Sequence, residues 1–167
     1  MQKQFLFLLI PIAFFITSCG IYSHSGASIP PDAKTFSVSY ISNVANIVNP
    51  LLSQNLTEKL KQKFVNETQL KLTSTEGDLA FSGKITSYEI NPTAVQGNQQ
   101  NAINRLTITI EITLENKKAA EKNFTQTFSN FIDFSASDDF ATREQELSDK
   151  VSVMLVQDVF NKAFINW

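Results

Sequence analysis

The chain has 167 residues, of which 43% are apolar, 18% charged and 11% aromatic, with a formal net charge of −2 and a single Cys and a single His. That is the length of one ordinary domain, and one His with one Cys cannot build a His/Cys metal cluster, a CxxC redox pair or an internal disulfide. The slightly acidic balance speaks against a nucleic-acid binder, which needs a basic face. The count that departs from ordinary composition is 14 Phe.

At the N-terminus, Met1-Gln2-Lys3-Gln4 carries one positive charge and precedes an apolar run from Phe5 to Ile16. This is the n-region and h-region of a secretory signal, too short to cross a hydrocarbon core of about 30 Å. The run ends in Thr17-Ser18 before Cys19, and Ile16-Thr17-Ser18-Cys19 resembles a bacterial lipobox. The resemblance implies cleavage between Ser18 and Cys19 and acylation of Cys19, palmitate being one of the acyl groups, with no cofactor besides that covalent lipid. Several acyl chains, at about 0.8 kcal/mol per buried CH₂, hold a protein on a membrane essentially permanently. Gly20-Ile21 after the Cys, without an adjacent Asp, fits sorting to the outer membrane, and the absence of an acidic cluster there fits a domain facing the periplasm. Residues 1–18 are thus expected to be the signal, 19–33 the lipidated Cys and its tether, and 34–167 one folded domain. His24, in the small, polar, Pro-ended stretch Ser23 to Asp32, reads as a tether residue.

Phe36, Val38 and Tyr40 alternate with Ser37 and Ser39, which predicts a first strand over 35–41. Asn49-Pro50 offers an N-cap and a first-turn Pro, and Leu52, Leu56, Leu60 and Phe64 recur every four residues behind it, predicting an amphipathic helix over 50–66. A short strand is expected over Leu70–Thr73 and a turn over Thr75–Asp78. From Leu79 the apolar residues are odd-numbered, and from Tyr88 even-numbered, so a bulge near Thr86-Ser87 or partial cover on both faces is expected. A polar hairpin loop follows through Asn101.

Leu106, Ile108, Ile110, Ile112 and Leu114 alternate without a break with Thr107, Thr109, Glu111, Thr113 and Glu115, the pattern of a strand buried on one face and wet on the other. Asn116–Lys122 is a charged turn. Phe124, Phe128, Phe131 and Phe134 are spaced to fit either a helix or a strand, and the intervening Thr125, Thr127, Ser129 and Asn130 favour a strand with aromatics on both faces. Thr142-Arg143-Glu144-Gln145 has the capping-box pattern, and Leu147, Val151, Leu155 and Val159 form a stripe, so the last helix is expected over 142–164. The fold class that follows is α+β: two amphipathic helices packed on one face of a mostly antiparallel four- to five-stranded sheet.

No catalytic constellation can be assembled. The one His sits in the tether, neither a Gly-rich phosphate loop nor a GxSxG elbow is present, and Asp138-Asp139 at a helix start read as dipole partners. No metal site is expected either. Lys117, Lys118 and Lys122 put three cations on one turn, a candidate contact for an anionic glycolipid whose plainer reading is a solvated hairpin. The aromatic strand around Phe124 to Phe134 is a second candidate, for a glycan or lipid ligand.

With the lipidated Cys-Gly, the Pro-containing tether, one strand, one helix, a meander of long strands and a C-terminal helix in this order, the chain resembles the lipopolysaccharide-assembly lipoprotein family LptE, in its short Bacteroidetes form. Ser23–Pro30, Asn104–Ile108 and Phe160–Trp167 look like stretches of those proteins. The resemblance implies a non-enzymatic outer-membrane lipoprotein that sits as plug and helper in the β-barrel LptD, the pair inserting lipopolysaccharide into the outer leaflet. It implies an LptD-like barrel, lipopolysaccharide and the membrane as partners, and no nucleic acid.

Overall fold

The computed structural model describes residues 29–47, 49–93 and 102–165. Ser18, Cys19, His24 and the tip of the loop between Thr93 and Ile103 lie outside them. Strand β1 (Thr35–Val38) buries Phe36 and Val38 and turns Thr35 and Ser37 the other way. Helix α1 (Pro50–Glu67) begins where the Asn49 side chain accepts from the N–H groups of Leu51 and Leu52, at 3.0 and 3.2 Å, so the cap satisfies two otherwise orphaned donors. Its Leu52, Leu56, Leu60 and Phe64 are buried. It stops at Glu67 because Thr68 is extended, its hydroxyl and N–H both donating to the Phe64 carbonyl.

After α1 the chain forms β3 (Lys71–Leu72), parallel to β1. On the other side of β1 runs β4 (Leu79–Thr93), also parallel, and β2 (Ser42–Asn43) pairs with β4 farther along. Strands β5 (Ile103–Asn116) and β6 (Phe124–Ser135) continue antiparallel, for a sheet order β3-β1-β4-β5-β6. The α+β class stands, but the sheet has six strands, and three of its pairings are parallel. Two features explain the difference. The two-residue β2 is too short to show a period, whereas β3 lies within the short strand expected over Leu70–Thr73, and a helix placed between strands returns the chain so that the next one runs parallel. The single strand expected over 35–41 is also split: the Ile41 N–H leaves the sheet to donate to Thr57 of α1 at 3.1 Å, and pairing resumes at Ser42.

The expected irregularity in β4 is a bulge, with the register shifting between Ile85 and Ser87. It turns Tyr88 onto the face occupied by Phe81 and Ile85, all three buried. The segment Phe124–Ser135 is a strand, with Phe124, Phe128 and Phe134 on the helix side and Phe131 on the other. Helix α2 (Phe140–Phe164) starts two residues before the expected position because Asp139, not Thr142, is its cap. The Thr142 hydroxyl instead donates to the Asp139 carbonyl within the first turn.

Both helices cover the same sheet face, and Phe64 stands at the centre of the ring cluster beneath them. Its centroid lies 5.5 Å from Phe36, 4.6 Å from Phe81 and 5.2 Å from Phe164. Among the described residues no helix lies on the opposite face, which carries Ser82, Thr109, Glu111, Thr113 and Ser129. No helix among the described residues is long and apolar enough to cross a membrane.

Candidate functional site

The residues that would follow the tether enter the fold through a clasp. Asp78, in the turn before β4, accepts from the N–H of Lys34 at 2.9 Å, the N–H of Thr35 at 3.0 Å and the Thr35 hydroxyl at 2.9 Å. The Lys34 N–H, then the Thr35 hydroxyl, hold the Asp78 carboxyl well below the usual carboxylate range, because charge-assisted donors favour the ionised form. Gly77 is required beside it: a Cβ there would sit 2.6 Å from the Phe36 backbone.

The cationic turn is built onto this clasp. Asn116 accepts from the N–H groups of Lys118 and Ala119, both at 2.9 Å, which bends the chain after β5. The Lys117 ammonium reaches Glu76 at 2.8 Å, and that of Lys118 lies 3.4 Å from Asp78. The bond from Lys117 lowers the Glu76 carboxyl. Lys122 ends a short 3₁₀ turn (Ala120–Lys122) before β6. The structure thus brings Lys117 and Lys118 to the end of the molecule where the described chain begins, each facing a carboxylate. The exposed pair of Lys117 with Glu76 is worth about 0.2–1 kcal/mol, so an anion can compete for that ammonium group.

The aromatic strand does not form the concave patch that a ligand box needs. Phe128 and Phe134 are buried, and Phe124 packs against the core with the Lys162 ammonium 5.7 Å from its ring. Only Phe131, 49% exposed, faces the open side. There the Arg105 guanidinium lies over it at 3.7 Å and holds Asp133 by two bonds of 2.7 and 2.9 Å.

A polar cluster that periodicity does not reveal lies between the helices and β4. The Tyr88 hydroxyl meets Glu144 at 2.9 Å and Ser148 at 3.1 Å, and the Asn49 amide donates to the same Glu144 oxygen at 2.8 Å. Burial is the main reason the Tyr88 hydroxyl is pushed up to about 12, so it stays protonated and donates. The hydrogen-bonded partners are 56 or more residues apart in the chain. The one available signal was a Tyr at a core-face position, where its hydroxyl needs a partner. The cluster ties the start of α1 to α2 and β4. Asp138 is ion-paired with Arg143, and Asp139 is consumed as a cap. No group of three or more metal-ligating side chains occurs among the described residues.

Comparison with known proteins gives the family. The model of the family LptE, lipopolysaccharide-assembly, matches residues 33–163. The chain belongs to the LptE family. No curated protein matches its sequence significantly. Among solved structures, it is similar to a minor lipoprotein from Acinetobacter baumannii, with 15% identity, a TM-score of 0.52, and coverage of 78% of this chain and 91% of the other. A Helicobacter pylori homologue of a neuraminyllactose-binding hemagglutinin matches at 10% identity and TM-score 0.52, over 84% of this chain and 88% of that one. At such identities the likeness concerns the fold. Membership in LptE, for its part, supports a role in lipopolysaccharide assembly.

Proposed function

We propose that the chain is a non-enzymatic lipoprotein of the outer membrane that faces the periplasm, held by acyl groups on Cys19 after cleavage behind Ser18. Its role is to partner an LptD-like β-barrel, as plug and assembly factor, while lipopolysaccharide is inserted into the outer leaflet. The observation that carries the reading is the family match over 33–163, which spans both helices and the whole sheet. The lipobox at 16–19 supports it independently, since that segment precedes the matched region. Lys117, Lys118 and Lys122 supply the contact with anionic lipopolysaccharide, Lys117 by exchanging its exposed carboxylate partner for phosphate.

The test is purification of the full-length protein from detergent-solubilised outer membrane. A large β-barrel is expected to co-purify, and depletion should leave lipopolysaccharide stalled in the periplasm; recovery of the lipoprotein without any barrel would overturn the partnership. Mass spectrometry of the mature N-terminus checks the anchor, which Cys19→Ser should abolish.

A further inference from the structure

Most Lys and Arg side chains among the described residues are already engaged, either with a carboxylate or, in the case of Lys162, over the Phe124 ring. Lys34 and Lys71 differ. Both are exposed, and neither has an ion pair or a ring contact among the described residues. They are also neighbours. The Lys71 N–H donates to the Lys34 carbonyl at 2.9 Å where β3 meets β1, so the two side chains rise from segments about 4.8 Å apart.

Both line a cavity of about 640 Å³ at the point where the described chain enters the fold, a size within the ordinary range of ligand sites. Its apolar wall is Ile29, Pro30, Ala33 and Leu70, the last two buried. Local hydrogen bonds hold that wall in place. The Ala33 N–H donates to the Pro30 carbonyl at 2.9 Å, closing a turn, and the Asp78 clasp on the Lys34 N–H fixes the chain that follows. No Asp or Glu lines the cavity, so nothing in its lining neutralises the two ammonium groups. An apolar wall beside two uncompensated cations is complementary to an amphiphile with an anionic head.

We propose that this cavity seats the head of an anionic glycerophospholipid, with the Lys34 and Lys71 ammonium groups sharing its phosphate and the apolar wall taking the glycerol and the first methylenes of an acyl chain. The source of that lipid rests on the reading of Cys19 as the anchor. Cys19 to Ser28 are ten residues, an extended reach of at most about 36 Å, so the cavity stays beside the leaflet that holds the acyl groups, where phospholipid is concentrated. A domain that plugs a barrel still reaches that leaflet where its tether leaves it, and the cavity is at that point. The anchor alone keeps the chain on the membrane whichever way the domain points; a lipid held here turns the clasp end toward the leaflet. A zwitterionic head would bring a further cationic group up to the two lysines and is disfavoured. Lys117, Lys118 and Lys122, the cations assigned to lipopolysaccharide, do not line the cavity.

The test uses the detergent-solubilised full-length lipoprotein and, as probe, a short-chain phosphatidylglycerol with a photoreactive diazirine in one acyl chain. Peptide mapping by mass spectrometry should find the label within residues 29–35 and 68–71. Lys34→Gln combined with Lys71→Gln should raise the dissociation constant of the probe about tenfold or more, with melting unchanged, because both side chains are exposed and unpaired among the described residues. Lys150→Gln, outside the cavity, should bind as the parent does. Unlabelled phosphatidylglycerol should displace the probe at about a tenth of the phosphatidylcholine concentration needed. Label confined to other segments, or an unchanged dissociation constant in the double variant, would overturn the proposal. So would displacement by inorganic phosphate or phosphatidylcholine as effective as by phosphatidylglycerol, or displacement by lipopolysaccharide at a lower concentration than phosphatidylglycerol requires. Should the double variant not fold, the label map and the competition series decide alone. Binding in detergent does not depend on the anchor, so a mature N-terminus found without acyl groups on Cys19 overturns the anchored reading and not this site.

Discussion

Asp78 shows how one side chain joins segments that the sequence keeps apart. Its carboxylate serves donors on Lys34 and Thr35, more than forty residues away, and faces Lys118. Because its folded pKa is depressed below the unfolded value of about 3.9, its contribution is fully present above about pH 5 and is lost as the pH falls toward the folded pKa. Glu76, Asp133 and Glu146 are lowered too, by Lys117, Arg105 and Lys150 respectively, so they act in the same direction. The urea midpoint is therefore expected to be flat between pH 7 and 5 and to fall below about pH 4. Asp78→Asn should lower the midpoint at pH 7 and make the acid limb shallower; an unchanged acid limb would remove Asp78 from this account. In the sequence Asp78 is only the last residue of a turn. Its partners depend on β1 and β4 lying side by side, which no local pattern encodes. Cys19 is the opposite case, since its meaning lies in the few residues before it.

Elements with a long, regular period were legible, and those that owe their form to neighbours were not. The alternation in β5 and the four-residue stripes of both helices correspond to buried faces without exception. β2 and the parallel pairing of β1 were not visible, because two residues carry no period and direction is set by the crossover through α1, whereas β3 lies within the short strand expected over Leu70–Thr73. The Phe residues divide by element as well. Seven of the ten that follow Cys19 are at or after Phe124, yet the ring cluster is centred on Phe64 and draws Phe36 and Phe81 together with Phe160 and Phe164. Phe64→Ala opens a cavity at the junction of α1, α2 and the sheet, and should lower unfolding free energy by about 3–5 kcal/mol in denaturant titration. Phe131→Ala removes a half-exposed ring held mainly by Arg105, and should cost no more than about 1 kcal/mol in the monomer. Similar losses in the two variants would contradict the placement of the core on the helix side alone.

At the scale of the whole molecule, the described chain begins at the end of the fold that carries the clasp and the cationic turn, so a lipid anchor on Cys19 would place this end toward the membrane. That makes Lys117, Lys118 and Lys122 the cations to test against lipopolysaccharide, and their surroundings make the test clean. The pair of Lys117 with Glu76 is exposed, and removing an exposed pair costs about 0–1 kcal/mol; Lys118 lies 3.4 Å from the half-buried Asp78. The Asp78 clasp rests chiefly on the Lys34 N–H and the Thr35 hydroxyl, neither of which the change touches. Replacing the three lysines together by Ala should thus leave the melting temperature within a few degrees, since about 1 kcal/mol moves a domain of this size by roughly 2–4 °C. Binding of lipopolysaccharide to the detergent-solubilised protein should weaken about tenfold or more, the loss of about 1.4 kcal/mol that each factor of ten represents. The difference between parent and variant should shrink as salt is raised from 0.05 to about 0.5 M, because exposed charges are then screened over a few ångströms. If the variant binds lipopolysaccharide as the parent does at low salt, the turn is only a solvated hairpin, and the contact has to be sought on the uncovered hydroxyl-rich face of the sheet.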